Sequence, residues 1–374
     1  MHRLVAIILK EFNQIKRDKR TLLILIFFPA FLLMIFGYAV DFDVKNLELG
    51  VLNLNESKES REFIEKFSLY EHFILKYQLK KYSEIDYYLD SGKIRACIVI
   101  PEDFTRKLNR GENISVQVII DGTNSNTGMT ALGNLSAYIK DYSDQLTIAA
   151  FKKIGVEKTP IPVELIPRVW YNQDLKSIKF MIPGLIGFIM MIVCVIATAL
   201  SIVREKERFT MEQIIVSPIK PYELIIGKTL PYLIISLVTM LLIIILGIIL
   251  FGVTIKGSLI YLFLTSLIFI IGALGLGMLI SSLTDSQQAA YQISVIITFL
   301  PAMILSGFVY PISSMPKAIQ FITYFVQLRY YLIILRNIIL KGTGLISFGE
   351  QLLYLTLYSL IMIVISSIRL RRSL

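Results

Sequence analysis

The chain has 374 residues, 55% of them hydrophobic and 18% charged, with a mean hydropathy of +0.66. Soluble domains carry about 25% charged residues, and the apolar residues here come in long blocks, so an ordinary soluble fold is excluded. The net charge of +10 does not point to nucleic acid, because much of the Lys and Arg excess flanks the apolar blocks and no soluble basic domain is left to bind a polyanion.

Residues 1–20 place Leu4, Val5, Ile8, Phe12 and Ile15 at helical spacing and end in Lys16, Arg17, Lys19 and Arg20. This pattern predicts an amphipathic helix on the membrane surface rather than a cleavable signal peptide. Residues 21–40 are the first block long enough for the roughly 20-residue span a bilayer needs, with Pro29 inside it. Residues 41–177 are polar and alternate strand-like with helix-like runs. Leu47–Leu54, Lys93–Ile100 and Ser115–Ile120 read as strands, and Ser57–Phe67, Ser83–Leu89, Glu102–Leu108 and Thr127–Ile154 as helices. An inserted α/β domain of roughly 135 residues is expected there, large enough for its own core. Its Cys97 is too far from Cys194, which lies in a span, to form a disulfide.

Spans follow at 178–203, 224–253, 258–283 and 289–309, and the last at 351–368. Between the second and third lies a charged connection, 204–223, and after the fifth a longer one, 310–350. The latter contains Pro311, Pro316, Arg329 and Arg336; a central arginine costs about 2.5–3.5 kcal/mol in a span, so short re-entrant helices are expected. Fourteen Lys and Arg residues flank one side (residues 1–20, the connection 204–228, the tail 369–374) and five the other. The positive-inside rule then places both termini in the cytoplasm and the 41–177 domain outside it.

Enzyme chemistry is poorly supported. The two histidines, His2 and His72, are far apart, and no His-Glu-x-x-His, Cys-x-x-Cys or Gly-x-Ser-x-Gly occurs. Gly227-Lys228-Thr229 imitates the tail of a phosphate-binding loop, but Tyr222 stands where its first glycine is needed. The span middles hold no ionisable residue, which argues against ion-coupled transport. A chain with neither an ATP site nor an ion-coupling site must take energy from another subunit if it moves anything uphill. Small and mildly polar residues remain inside the spans: Pro183 and Gly184, Gly272, Ala273, Gly275 and Gly277, and a polar run of Gln287, Gln288, Gln292, Ser294 and Thr298. They fit two readings, close helix packing and, for Pro183, Gly184, Gln288, Gln292, Ser294, Thr298 and Ser306, a translocation path.

The connection after the second span reads Arg204-Glu205-Lys206-Glu207-Arg208-Phe209-Thr210-Met211-Glu212, then Ser217-Pro218, Glu223, Gly227-Lys228 and Pro231-Tyr232. This resembles the pattern of ABC-2 type permeases, with Phe209 where glycine is usual. Leu300-Pro301 through Leu305-Ser306-Gly307, then Pro311, Met315-Pro316, Arg336 and Gly342, is similar to the outer segment of the same family. Gly92–Leu108, Asp121–Asn126 and Arg168–Asn172 resemble the outer domain of its drug-export-like branch. The resemblance covers nearly the whole chain and implies a six-span permease subunit, not itself an enzyme. It implies a separate cytoplasmic ABC ATPase that binds ATP and Mg, no cofactor bound by this chain, and a second permease copy or a paralogue as dimer partner. Membrane lipid and a periplasmic adaptor are the further partners it admits. Arg204, Glu205, Lys206, Glu207, Thr210, Glu212, Ser217 and Pro218 would form the coupling segment against the ATPase. The expected location is a bacterial or archaeal cytoplasmic membrane and the expected cargo amphipathic; the alternative is a receptor or surface-binding protein acting through the 41–177 domain.

Overall fold

A computed structural model describes residues 2–39, 47–67, 73–123, 125–153, 171, 177–210 and 221–373. The chain divides into two compact units, one of Met1–Asp41 with Arg168–Leu374 and one of Phe42–Pro167.

The first unit is helical. Helix α1 (His2–Arg17) runs into α2 (Lys19–Ala39) with only Asp18 between them. After the inserted unit come α7 (Ser177–Glu207), α8 (Pro221–Phe251), α9 (Leu259–Ser282), α10 (Gln287–Leu300) and α13 (Leu345–Ser373). Among the described residues six helices, α2, α7, α8, α9, α10 and α13, are long and apolar enough to cross a membrane. Between α10 and α13 the short helices α11 (Lys317–Thr323) and α12 (Gln327–Arg336) meet at a bend of 84°. Pro301 has no N–H to return to the preceding turn, and there α10 gives way to a π-helical turn, Pro301–Leu305.

Helix α7 is the axis of this unit: 78% of its apolar window is buried, against 17% for α13. A helix apolar all round that is nevertheless exposed needs lipid or another chain against it. Close approach to α7 depends on small residues. The backbone at Gly277 of α9 lies against the Val195 carbonyl and Thr198 of α7, and Gly275 against the backbone of Met362 and Ile363 in α13. The sequence bounds shift at several ends. Arg204–Glu207 are the last turn of α7 rather than part of a connection, and 221–223 already belong to α8. Gly252, at φ +62°, closes α8 two residues early, α10 with its π turn stops at Leu305, and α13 takes in 345–350 and most of the tail.

The second unit is a four-stranded sheet ordered β2-β1-β3-β4, with β1 (Leu47–Asn53) parallel to β2 (Phe73–Leu79) and β3 (Ala96–Ile100), and β4 (Gln117–Ile120) antiparallel to β3. Every residue of β3 is buried, as a strand covered on both faces must be. Phe63, Ile64 and Phe67 of α3 (Lys58–Phe67) and Ala131, Leu135 and Tyr138 of α6 (Ser125–Lys153) pack with Leu49 and Ile98. Ile85 of α4 (Tyr82–Asp90) packs with Leu52, Leu79 and Val99 in a separate cluster. Helix α5 (Phe104–Arg110) adds Phe104 to the first cluster. Strand β2 lies outside the sequence-predicted set. Its alternation of inward Phe73, Leu75, Tyr77 and Leu79 with exposed Ile74, Lys76 and Gln78 is the half-buried pattern of an edge strand. Strand β3 starts at Ala96 rather than Lys93, because Lys93 and Ile94 donate their N–H groups to Tyr88 O and finish the α4 turn. Cys97 is buried and unpaired, and burial pushes its thiol up to about 11.

Candidate functional site

Helix α1 keeps Ile15 and, in the same stripe, the carboxylate of Glu11 buried. A charge on the apolar face of an amphipathic helix needs a partner of opposite sign. Two lysines supply it: Lys228, near the start of α8, lies 3.4 Å from Glu11, and Lys10 lies 3.9 Å from it. The last turn of α7 joins them. Glu205 Oε1 accepts a 2.7 Å hydrogen bond from Lys10, and its Oε2 sits 2.5 Å from Lys228 Nζ as a charge contact rather than a directional bond. Glu11, Glu205 and Lys228 are 1%, 4% and 3% exposed. Two carboxylates and two ammonium groups therefore cancel inside the junction of α1, α7 and α8. Burial raises the Glu11 carboxyl above its ordinary range, with Lys228 opposing the shift.

The neighbouring charges reach out to other helices. Arg204 pairs with Asp18 at 2.9 Å, at the joint of α1 and α2, and its Nε lies 3.5 Å from Gln287 Oε1. Lys206 Nζ donates to the carbonyls of Ser281 (2.8 Å) and Thr284 (3.2 Å), neutralising the carbonyl end of α9. Glu207 accepts from the backbone N–H of Gln287 at 2.6 Å and from its side-chain amide, at the N-terminus of α10. Thr210 Oγ1 donates to Glu205 O at 3.2 Å. The four charges at 204–207 do not pair with one another along the helix; they fasten α1, α8, α9 and α10 to the end of α7. Phe209 then turns the chain at φ +56° with its N–H on Lys206 O, the left-handed conformation that glycine favours. The turn is made in spite of the side chain, whose ring is 71% exposed. Glu212, Ser217 and Pro218 lie outside the described residues.

The sequence-predicted path residues separate. Gln288 and Gln292 are exposed, whereas Ser294 and Thr298 are buried, the two pairs facing about 120° apart at 3.6 residues per turn. Thr298 donates to Ser294 O at 2.6 Å, and the buried Ser294 hydroxyl has no partner among the described residues. Pro183 is buried in α7, and the ring of Phe308 presses on Gly184 at the place a Cβ would occupy. Ser306 donates to Ala302 O and accepts from Phe308 N at 3.2 Å, which fixes that ring. Gly184 and Ser306 thus both contact Phe308, one at its ring and the other at its backbone N–H, and the exposed Gln288 and Gln292 lie apart from them on α10.

Sequence reasoning missed Lys10, Glu11, Asp18, Lys228 and Gln287 as functional residues. The signal was present for two of them: Glu11 falls in the apolar stripe of α1, and Lys228 interrupts an apolar helix.

Residues 19–368 match the family described as ABC-2 family transporter protein. The chain is 31% identical over 373 residues to "Probable multidrug ABC transporter permease YbhS" of Escherichia coli K12, covering 100% of this chain and 97% of that protein. It is 33% identical over 349 residues to "Probable multidrug ABC transporter permease YbhR" of the same organism, covering 92% and 91%. Identity to its "Inner membrane transport permease YhhJ" is 25% over 373 residues, covering 98% and 96%.

Proposed function

This chain belongs to the ABC-2 transporter family, and from that premise we propose that it is the permease of an ATP-driven exporter whose ATP and Mg are held by a separate cytoplasmic ABC ATPase. The observation that carries the reading is the charge cluster at the end of α7. It connects one short stretch of sequence to α1, α8, α9 and α10, beside the connection 211–220 that would rest on the ATPase. A push on that connection reaches most of the bundle at once, because the buried ion pairs resist separation. ATP binds one state of the ATPase pair better than the other, and this difference drives the permease between its two states.

In this reading both termini and the cluster are cytoplasmic, the α/β unit is extracytoplasmic, and two copies, or this chain and a paralogue, enclose the path in a bacterial or archaeal cytoplasmic membrane. Glu212, Ser217 and Pro218 touch the ATPase, while Arg204, Glu205, Lys206, Glu207 and Thr210 hold the segment in place. Gly184 and Ser306 gate the outer end of the path, with Pro183, Ser294 and Thr298 lining the helices that move. Gln288 and Gln292 face the second copy or the lipid. Uncharged span middles and the multidrug names of two relatives favour an amphipathic cargo.

Two substitutions test this in the complex purified from its own membrane and reconstituted. Glu212→Lys is expected to lose the ATPase from the purified complex. Glu205→Gln is expected to keep it bound and hydrolysing ATP while dye export falls at least about tenfold, a coupling loss of roughly 1.4 kcal/mol. Export at the normal rate in both variants would overturn the assignment.

A further inference from the structure

Beside the charge cluster, a cavity of about 610 Å³ opens between the end of α1 and the end of α7, lined by Lys10, Asn13, Gln14, Arg17, Arg204 and Arg208, with Asp18 as its one carboxylate. Four cations against one anion is an unbalanced lining. Arg204 is held by Asp18 and Lys10 by Glu205. Arg17 and Arg208 are exposed and make no ion pair among the described residues. Asn13 and Gln14 add amide donors to the same hollow.

The position fixes the depth of this hollow. Arg17 is the last residue of α1, one residue before the joint with the span α2, and Arg208 follows the last turn of the span α7. Both therefore stand where apolar helices leave the hydrocarbon, at the level of lipid phosphates. Val5 and Leu9 on α1 and Leu22 and Leu23 on α2 are exposed nearby in sequence, an apolar surface suited to acyl chains. We propose that this cavity is a binding site for the phosphate headgroup of an anionic phospholipid, with Arg17 and Arg208 as the guanidinium forks that grip it. A fork matches two phosphate oxygens at once, which a zwitterionic headgroup only partly exploits because its own ammonium adds to the local positive charge. The inference needs α2 and α7 to cross the membrane; it stands apart from the exporter reading and from which side is cytoplasmic. An occupied site would brace Arg204 and Lys10 and so tie lipid composition to the cluster at the end of α7.

The test is native mass spectrometry of the full chain in mild detergent, titrated with phosphatidylglycerol, phosphatidylcholine or glycerol 3-phosphate. Phosphatidylglycerol is expected to bind at least about tenfold more tightly than phosphatidylcholine, and R17Q/R208Q to weaken it about thirtyfold, the effect of two surface cations. Asn13→Asp, which adds a carboxylate and removes no cation, should weaken it as well, and Arg369→Gln, on the last turn of α13, should not. Equal retention of the two lipids, or an equal loss in Arg369→Gln, would overturn the site in favour of diffuse attraction. Glycerol 3-phosphate bound as tightly as the lipid would overturn the lipid as its source. Unchanged lipid binding in R17Q/R208Q, with loss of a bound ATPase, would make the hollow a protein-docking face instead.

Discussion

At one end of the bundle, Glu11, Glu205, Lys228 and Lys10 form a neutral cluster in which each charge has a partner within 4 Å. At the other end, around Phe308 and α12, the contacts are of shape. Phe308 seats on Gly184 and stacks on Phe188 with centroids 5.6 Å apart, and Leu328 and Tyr331 close on Gly187. The half-buried Arg336 there donates one hydrogen bond among the described residues, 3.2 Å to Gly307 O, and lies over the Phe180 ring at 3.6 Å; its Nε and Nη2 atoms are buried and have no hydrogen-bond partner among the described residues. Paired charges fix one geometry and resist sliding. Ring-on-glycine contacts with an underpaired cation lose less on opening, because water would satisfy the free N–H groups. In the proposed mechanism the first end transmits a displacement and the second yields to one.

The sharpest way to break this contrast is Lys228→Met. It strands two buried carboxylates with one half-exposed lysine, and a loss of about 3–5 kcal/mol is expected in thermal unfolding in detergent. Adding Glu205→Gln should return a large part of that loss, since it removes one of the stranded charges. At the yielding end, Gly184→Val forces the Phe308 ring aside at a cost of about 1–3 kcal/mol. Phe308→Ala in the same chain should relieve it, seen as a double-mutant interaction of favourable sign. Arg336→Met keeps the aliphatic packing and removes the underpaired cation, so the melting temperature should hold or rise, by up to about 1 kcal/mol equivalent. If Arg336→Met destabilised as much as Lys228→Met, the two ends would not differ in kind. The smallest effect expected is a gain of about 1 kcal/mol in Phe209→Gly, which relieves a left-handed residue without touching the cluster.

The spans are legible in the sequence because an unbroken apolar run of some twenty residues is the length a bilayer demands and far more than a soluble helix needs. Their ends are less so. Capping at Gly252 and the continuation of α7 through Arg204–Glu207 depend on local backbone geometry and on partners distant in sequence. Strand β2 escapes a sequence reading because exposed Ile74 puts an apolar residue on its outward face and Glu71-His72 and Lys80-Lys81, rather than glycine or proline, flank it in sequence. The motif at 204–207 stands out in the sequence, but its charges suggest an exposed face. Only the packing shows that Glu205 points inward to Lys10 and Lys228, one of them 195 residues away. The polar run of α10 divides for a simpler reason: residues four apart share a helix face, and Gln292 and Ser294 do not.

Crosslinking mass spectrometry of the chain isolated with the proposed ATPase from native membrane tests the central claim most directly. Lysine-reactive links from the proposed ATPase are predicted at Lys16 and Lys19, on either side of the Asp18–Arg204 pair, and at Lys220 in the connection that follows α7 in sequence, with none at Lys58, Lys76 or Lys93 of the α/β unit. Links concentrated on the α/β unit, or an ATPase that binds without any link near the end of α7, would contradict the account.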